Sequence, residues 1–224
     1  YRFSDEKTPW IFKDINLTIP KGSRLGIIGE TGSGKTTFVD LLMGLLEPVE
    51  GAISVDGVKL TESNMQDWQL HIAHVPQGVY LADSSIAENI AFGVAKEEID
   101  MDRVVACAKR AHIHDLIESW TEKYEEFVGE RGVKLSGGQI QRIGIARALY
   151  KRADVIVFDE ATSALDSVTE QSVMEAIESL SSDLTIVMIA HRLNTLRNCD
   201  QIIRFGKGTI LQQGSYAELV DGKT

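Results

Sequence analysis

A short apolar run, a glycine-rich turn and a helical pattern follow one another in residues 25–45, and this succession constrains the fold more than any other feature. Residues 25–28 are apolar and suit a short buried strand, whereas residues 35–45 repeat apolar side chains at helical spacing. Between them, residues 29–36 read Gly-Glu-Thr-Gly-Ser-Gly-Lys-Thr and match the P-loop pattern in full. A glycine-rich turn would match by chance in roughly one chain of this length in a hundred. The pattern predicts a strand, a phosphate-binding loop and a helix in succession.

The predicted loop has the chemistry of a nucleotide site. Its glycines let successive backbone N–H groups point at phosphate oxygens, and the start of the helix adds positive potential. The ammonium group of Lys35 would neutralise the β- and γ-phosphates, and the hydroxyl of Thr36 would complete the coordination of Mg²⁺. The candidate nucleotide-binding residues here are Gly29, Glu30, Thr31, Gly32, Ser33, Gly34, Lys35, Thr36 and Thr37.

Short β-branched runs alternate with amphipathic helical stretches along the rest of the chain, which predicts an α/β fold with a mostly parallel core sheet. Residues 154–158 and 184–189 read as strands buried on both faces, and residues 11–19 alternate like a further strand. Asp56 and Gly57 separate two short runs and predict a type I′ hairpin. An N-terminal antiparallel β-subdomain is therefore expected beside the parallel sheet.

Helical patterns dominate the middle of the chain. We expect one domain over residues 1–224, with a P-loop NTPase core and the β-subdomain at 1–81 and 151–224, and a helical subdomain at about 82–150. Ser167 with Glu170, and Ser215 with Glu218, read as capping boxes that open the last helices.

Composition excludes several classes of function. The 224 residues carry a formal net charge of −10, without the basic stripe that nucleic-acid binding requires. No apolar run approaches the roughly 20 residues that span a bilayer. Cys107 and Cys199 are far apart in sequence and lack partners at metal-ligand spacing, which predicts two buried thiols in a reducing compartment.

A pair of acids follows the apolar run at residues 155–158. Asp159 at the carboxyl end of that strand would hold Mg²⁺, and Glu160 would polarise the attacking water as a general base. In isolation, such a pair is more often a solvated strand end. The apolar strand before it and the P-loop upstream favour the catalytic interpretation.

A second phosphate-binding helix start is predicted at residues 135–139, which read Leu-Ser-Gly-Gly-Gln before the helical stretch 140–150. Ser136 suits the N-cap, and the two glycines would let a phosphate approach the exposed N–H groups. One nucleotide does not need two such helix starts from the same chain. We therefore expect the second to serve a nucleotide bound to another copy.

With these residues the sequence resembles the nucleotide-binding domain of ABC transporters, over essentially the whole chain. Residues 135–139 match that family's signature motif letter for letter. The resemblance implies that two copies pair head to tail, with each ATP between one P-loop and the partner's signature. Carried over, Ser136, Gly138 and Gln139, with Gly137 between them, would contact the γ-phosphate of the other copy's ATP.

Further family positions fall in order along the chain. The resemblance implies that Gln77 touches Mg²⁺ and the attacking water, that Asp166 crosses the dimer interface, and that His191 contacts the γ-phosphate. An aromatic side chain near the N-terminus stacks on adenine in this family. Phe3 matches that position best by distance, Tyr1 is the alternative, and Trp10 is also close; packing on an edge strand is the competing interpretation.

Residues 128–132 resemble the loop that in ABC exporters touches the coupling helices of the membrane domain. The resemblance implies a transmembrane domain fused upstream of Tyr1 and a place at the cytoplasmic face of a membrane, such as a bacterial inner membrane. Contact with the membrane is then made only through that domain. Two residues depart from the family pattern, Ile140 after the signature and Glu30 inside the P-loop.

The predicted function is ATP hydrolysis at a head-to-tail dimer interface that drives export of an unidentified substrate. The sequence leaves a homodimer and a heterodimer open, and the two intact half-sites favour the homodimer. Three other functions fit the sequence less well. A chromosome- or repair-associated ATPase would need a long coiled coil between P-loop and signature, and no sustained heptads occur there. A translation-associated factor would carry each motif twice, and a nucleotide-binding module without turnover would not need Glu160 and His191.

Overall fold

The computed structural model describes residues 1–2, 9–190 and 193–220. Two of the predicted site residues, Phe3 and His191, lie outside the described residues. Residue contacts divide the chain into two compact units. The first consists of Tyr1–Ala73, Asp154–Asp159 and Ser182–Thr224, and the second of His74–Ala153 and Glu160–Ser181.

A six-stranded sheet has the strand order β4-β5-β6-β1-β7-β8, and all of its strands except the second half of β4 belong to the first unit. Strands β5, β6, β1 and β7 pair in parallel, and β8 is antiparallel to β7. All five residues of β6 are buried, as expected for a parallel strand covered on both faces. The strands are β1 (Arg24–Gly29), β4 (Ile72–Val75), β5 (Val155–Asp159), β6 (Thr185–Ile189), β7 (Gln201–Gly206) and β8 (Thr209–Gly214). The predicted α/β fold with a mostly parallel sheet is confirmed.

Three helices accompany this sheet in the first unit: α1 (Lys35–Leu42), α2 (Met65–His71) and α8 (Tyr216–Val220). Apolar side chains of α1, α2 and the sheet form one core cluster with Phe12, and the cluster includes Val39 and Trp68. The indole N–H of Trp68 donates to the carbonyl of Leu42 at 2.7 Å, which ties α2 to the end of α1.

A separate two-stranded sheet forms the predicted hairpin. Its strands β2 (Ser54–Val55) and β3 (Val58–Lys59) are antiparallel. Asp56 and Gly57 have φ values of 49° and 81°. A type I′ turn requires positive φ at both central residues, so the prediction is confirmed.

Residues 11–19 do not form the predicted strand. The apolar residues Ile15, Leu17 and Ile19 do pack against the core cluster in alternation with exposed neighbours, whereas the buried side chain of Phe12, next to Ile11, breaks the predicted alternation. The backbone, however, makes isolated bonds instead of a ladder, since the N–H of Lys13 donates to Gly208 at 2.9 Å. Asp14 then turns the chain with a φ of 56°. An alternating apolar pattern therefore indicates which side chains face the core, but it does not determine whether the backbone pairs with a neighbouring strand.

Five helices make up most of the second unit: α3 (Ile86–Ile90), α4 (Met101–Arg110), α5 (His114–Glu118), α6 (Gly137–Tyr150) and α7 (Ser167–Glu178). Helix α6 packs against α3, α4 and α7. Its fully buried residues include Ile143, Ile145 and Ala146, so α6 forms the centre of the second unit. The expected bounds of the helical subdomain, about 82–150, stay a prediction.

The two capping boxes predicted near the end of the chain have different outcomes. Ser215 and Glu218 form theirs, with the N–H of Ser215 donating to the carboxylate at 2.6 Å. At α7 the prediction is wrong by one residue, because Asp166 is the N-cap and Ser167 is the first helical residue. The carboxylate of Asp166 accepts from two N–H groups at once, which fills the capping position.

Candidate functional site

The phosphate-binding loop connects β1 to α1 in the first unit. Gly32 and Gly34 have φ values of 79° and 98°, a region that side chains with a Cβ rarely adopt. At Gly34 a Cβ would also lie 2.5 Å from Cζ of Phe12, whose ring packs under the loop. The glycines therefore allow the curled path that the sequence predicted.

Lys35 is folded back into this loop. Its side chain is only 7% exposed, and its ammonium group donates to the carbonyls of Gly29 at 2.8 Å and Glu30 at 3.1 Å. The hydroxyl of Ser33 is buried and has no hydrogen-bond partner among the described residues. A buried cation and an unpaired hydroxyl beside a helix start fit an anionic oxygen of a phosphate group. Thr36 and Thr37 follow as the second and third residues of α1.

Asp159 lies at the same edge of the sheet as this loop. It is opposite Ile189 in β6, and Ile189 is opposite Ile27 in β1. With neighbouring strands about 4.8 Å apart, Asp159 is roughly 10 Å from Ile27, two residues before Gly29. The carboxyl edge of a parallel sheet is where α/β proteins place their ligands. The hydroxyl of Thr36 and the carboxylate of Asp159 are oxygen donors of the kind that suits a hard divalent cation.

Glu160 begins the next part of the second unit with an unusual backbone conformation. Its φ is 51°, in the left-handed region. Its carbonyl accepts from the N–H of Ser163 at 3.0 Å and from the hydroxyl of Ser163 at 2.9 Å. Strain of this kind often accompanies functional residues, which agrees with the role predicted for Glu160.

The signature residues open α6 as predicted. Ser136 is the N-cap, and with Gln139 it forms a full capping box. The N–H of Gln139 donates to the hydroxyl of Ser136 at 3.3 Å, and the N–H of Ser136 donates to the Gln139 side chain at 2.8 Å. The side chains of both residues therefore fix the first turn of the helix.

The two glycines of the signature have a packing role that the sequence did not reveal. A Cβ on Gly138 would collide with Cγ2 of Thr169 in α7. A Cβ on Gly137 would lie 2.9 Å from a methyl group of Leu165. The start of α6 and the loop before α7 are thus in close contact within the second unit.

Asp166 lies in that loop as the N-cap of α7. Hydrogen bonds from Thr169, through its side chain and its backbone N–H, lower the pKa of the Asp166 carboxyl group. The N–H of Val168 donates to the same carboxylate at 3.1 Å. The residue predicted to cross a dimer interface therefore also stabilises its own helix.

Gln77 is exposed and lies just after β4, as the sequence indicated. Its carbonyl accepts from the side-chain amide of Gln141 in α6 at 2.6 Å. Gln77, the signature residues, Glu160 and Asp166 all belong to the second unit, whereas the P-loop and Asp159 belong to the first.

Of the aromatic candidates for adenine stacking, Tyr1 and Trp10 are described. Tyr1 is half-buried and packs against the core cluster of the first unit. Trp10 carries the guanidinium group of Arg2 over its ring, 4.7 Å from the centroid. The choice among the three aromatic residues stays a prediction.

A set of buried polar side chains around α6 was not predicted from the sequence. Asn89 is fully buried and accepts at its carbonyl from Nε of Arg147 at 2.8 Å. A second guanidinium nitrogen of Arg147 donates to the carbonyl of Tyr80 at 2.9 Å. Burial lowers the pKa of Arg147. Polar residues inside the otherwise apolar helical stretch 140–150 were the available signal.

The described ranges contain neither a cluster of metal-ligating side chains nor a membrane-spanning helix. No group of three or more His, Cys, Asp or Glu side chains is arranged to hold a metal ion there. Across those same ranges, no helix has both the length and the apolar character needed to cross a membrane.

Comparison with known proteins identifies the family. The sequence profile described as ABC transporter matches residues 12–163. "ABC transporter B family member 15" of Arabidopsis thaliana is 41% identical over 210 residues, which cover 94% of this chain and 17% of that protein. The "ATP-dependent lipid A-core flippase" of Cupriavidus metallidurans is 42% identical over 207 residues, which cover 92% of this chain and 35% of that protein.

A solved structure gives the same result. It is described as a bacterial Atm1-family ABC exporter with ATP bound, and it matches 99% of this chain with a TM-score of 0.84 and 36% identity. The chain covers 38% of that exporter, so it spans well under half the length of these relatives. The resemblance to the nucleotide-binding domain of an ABC exporter is confirmed. The chain belongs to the ABC transporter family.

Proposed function

We propose that this chain binds ATP and Mg²⁺ between two head-to-tail copies and hydrolyses the ATP, and that hydrolysis powers export of a substrate by an ABC exporter. The observation that carries the proposal is the loop at the start of α1. There the buried ammonium group of Lys35 bonds to the carbonyls of Gly29 and Glu30, and the buried hydroxyl of Ser33 has no hydrogen-bond partner within the described part of the chain.

The first unit supplies the phosphate contacts. Lys35 donates to two neutral carbonyls in the described structure. A phosphate oxygen is a charged acceptor and makes a hydrogen bond roughly twice as strong, so ATP would replace these contacts favourably. The hydroxyl of Ser33 and the N–H groups at the start of α1 hold further phosphate oxygens. An aromatic ring, from Phe3 or Tyr1, stacks on adenine.

Thr36, Asp159 and Gln77 offer the oxygen atoms that would hold Mg²⁺. When bound, the ion neutralises charge on the phosphate oxygens as a Lewis acid. Glu160 accepts a proton from water as that water attacks the γ-phosphorus, and the bond to the bridging β-oxygen breaks to give ADP and phosphate. Lys35 and His191 hold the charge of the transferring phosphoryl group.

The second copy completes each site. The hydroxyl of Ser136 accepts from the N–H of Gln139, which leaves its own hydrogen free to donate to a phosphate oxygen. Ser136, Gly137, Gly138 and Gln139 therefore contact the ATP that the partner copy holds, and Asp166 lies across the same interface. ATP then favours the closed pair, and loss of the γ-phosphate releases it.

The domain works at the cytoplasmic face of a membrane. We propose that residues 128–132 contact the coupling helices of a transmembrane domain, which makes every contact with the bilayer and selects the substrate. The net charge of −10 argues against nucleic acid as a partner. The subdomain bounds of 1–81 with 151–224, and of about 82–150, remain part of the proposal.

The proposal is tested by the ATPase rate of the purified domain as a function of its concentration. We expect the specific rate to rise with concentration and then level off as the dimer forms. Ser136→Ala should lower the rate, but it also removes the helix cap and costs about 1 kcal/mol of stability. Ser136→Asp separates the two effects, since Asp caps as well as Ser and repels phosphate.

Ser119→Ala is the matched control, because the exposed hydroxyl of Ser119 donates only to the nearby carbonyl of Leu116 within the described contacts. Size measurements with and without ATP accompany the assay. A protein that stays monomeric with ATP and turns over at an unchanged rate in Ser136→Asp would contradict the shared site.

A further inference from the structure

A buried glutamine on α6 holds the loop that carries Gln77. Gln141 is 4% exposed. Its side-chain nitrogen donates to the carbonyl of Gln77 at 2.6 Å and to the carbonyl of Pro76 at 3.2 Å. These partners lie 64 and 65 residues earlier in the chain, so the contact joins two distant segments of the second unit.

The side-chain oxygen of Gln141 differs from the nitrogen in its hydrogen bonding. The oxygen of Gln141 is buried and has no hydrogen-bond partner among the described residues. Turning the amide over would place that oxygen against two carbonyls, so the acceptors determine its orientation. A buried polar atom without a partner costs free energy of folding. Gln141 is therefore poorly explained as packing alone, and its two donated bonds are the feature that offsets this cost.

The rest of the helix face brings the loop close enough for these bonds. At Gly144, three residues after Gln141, a Cβ would lie 2.8 Å from a methyl group of Val79. Arg147, three residues further on, donates to the carbonyls of Tyr80 and Asn89. Spacing of three keeps these positions on neighbouring parts of one helix surface. Through Gln141 and Arg147, this face of α6 bonds to main-chain carbonyls between Pro76 and Asn89.

We propose that Gln141 is a positioning residue for ATP hydrolysis, acting through Gln77. It fixes the main chain at Gln77 against the helix whose first turn carries Ser136 and Gln139. This inference rests on the proposed ATPase function, in which Gln77 touches Mg²⁺ and the attacking water. Loss of the two bonds should disturb the placement of Gln77 and leave the Lys35 loop of the first unit unchanged.

The test is Gln141→Met, which has a similar length and no donor. We expect kcat to fall about tenfold with the KM for ATP within twofold, because phosphate binding depends on the loop at Lys35. Gln171→Met, at an exposed position of α7, is the matched control and should leave both constants unchanged. A fall of kcat and a rise of KM in equal proportion would overturn the positioning role.

A double-mutant cycle with Gln77→Ala shows whether Gln141 acts through Gln77. If it does, adding Gln141→Met to Gln77→Ala lowers kcat little further, because the side chain that it positions is already gone. If the two substitutions lower kcat independently, so that the kcat of the double variant falls by the product of the two factors, the proposal is overturned. Gln141→Asn, which keeps the amide and shortens its reach, repeats the test should Gln141→Met fold poorly.

Hydrogen–deuterium exchange gives a readout that does not require turnover. In Gln141→Met, backbone exchange should quicken in residues 76–85 and stay unchanged in the hairpin at residues 54–59. If the wild-type protein hydrolyses no ATP, the proposed function fails while this result still stands. Unchanged exchange in residues 76–85 would overturn the role of Gln141 whatever the ATPase result.

Discussion

The backbone of Glu160 adopts a left-handed conformation, with a φ of 51°. A left-handed conformation costs a residue with a Cβ about 1–3 kcal/mol and persists only where other contacts impose it. Here two hydrogen bonds from Ser163 to the Glu160 carbonyl impose it. The bonds fix the main chain at the turn directly after Asp159, where the proposed chemistry needs a base.

Glu160→Gln keeps this backbone and removes only the charge. Removal of a general base typically lowers turnover 10²- to 10⁴-fold, so we expect a loss of at least a hundredfold in kcat with ATP binding retained. Steady-state ATPase assays and ATP-binding titrations measure the two effects. Glu175→Gln, on the exposed side of α7, serves as the control. Turnover at the wild-type rate would remove Glu160 from its role.

Cys199 is expected to make the protein less stable at alkaline pH. Burial raises the pKa of its thiol to about 12. In the unfolded chain a cysteine ionises near pH 8.5. Because the folded pKa is the higher one, this contribution to stability is complete below about pH 8.5 and is lost as the pH rises towards 12.

The free energy of unfolding should therefore fall by about 1 kcal/mol per pH unit within that range through this residue. Cys199→Ala should show a flatter profile when urea unfolding is measured from pH 8 to 11. Parallel profiles for the two proteins would show that Cys199 is accessible to solvent in the folded state.

At the scale of elements, the contact between α6 and α7 explains a signature glycine. Alanine is normally better than glycine inside a helix by about 1 kcal/mol. At Gly138, however, the added methyl group would meet Cγ2 of Thr169, a β-branched side chain with little freedom to move. Overpacking of a buried site costs about 1–3 kcal/mol, so the clash outweighs the helical preference.

Gly138→Ala should therefore destabilise the protein, as measured by urea unfolding. Thr169→Ser removes the methyl group that it would meet and keeps the N–H that donates to Asp166. The double variant should recover most of the free energy of unfolding that Gly138→Ala loses. A Gly138→Ala variant that is more stable than the wild type would mean that the two helices are further apart than the structure shows.

The capping box of α3 gives a second prediction at this scale. Ser85 and Glu88 bond to each other's backbone N–H groups. The pKa of the Glu88 carboxyl group is lowered by the hydrogen bond from the Ser85 N–H and by a second one from the Ser85 side chain. Because the folded pKa is the lower one, the stabilisation is present above the unfolded value of about 4.3 and is lost as the pH falls through the folded value.

Glu88→Ala should cost about 1 kcal/mol at pH 7. Glu88→Gln can still accept from Ser85, so its stability should change less between pH 6 and pH 3 than that of the wild type. Thermal unfolding at a series of pH values measures both. Equal acid sensitivity of Glu88→Gln and the wild type would exclude the capping box as the source.

For the whole molecule, the proposed ligand should act as a stabiliser of the folded state. A ligand at a hundred times its Kd adds about 2.7 kcal/mol to the free energy of unfolding. For a chain of this size, each kcal/mol raises Tm by about 2–4 °C. ATP with Mg²⁺ should therefore raise the Tm of the wild-type domain by several degrees.

Lys35→Met should lose most of that shift, since the ammonium group in the loop is gone. Lys13→Met is the matched control, because Lys13 is exposed and its side chain makes no described contact with the loop. Differential scanning fluorimetry with and without nucleotide makes the comparison. A full shift in Lys35→Met would place nucleotide binding elsewhere.

Much of this protein could be read from local sequence because the relevant contacts are short-range. The P-loop lies within nine residues, the box of Ser136 and Gln139 within four, and the hairpin turn at Asp56 and Gly57 within two. In each case a backbone conformation or a cap demands a residue type at a given spacing, so the pattern identifies both the structure and the chemistry.

Tertiary structure decided what depends on partners distant in sequence. The backbone of residues 11–19 makes isolated hydrogen bonds instead of pairing as a strand. Asp166, and not the predicted Ser167, is the N-cap of α7. Gln141 reaches a loop 64 residues away, and Gly138 is small because Thr169 lies against it. Alternation and spacing in the sequence indicate which side chains are buried. Which residues then bond or pack against each other depends on how the helices and strands pack, because only the folded chain brings distant residues together.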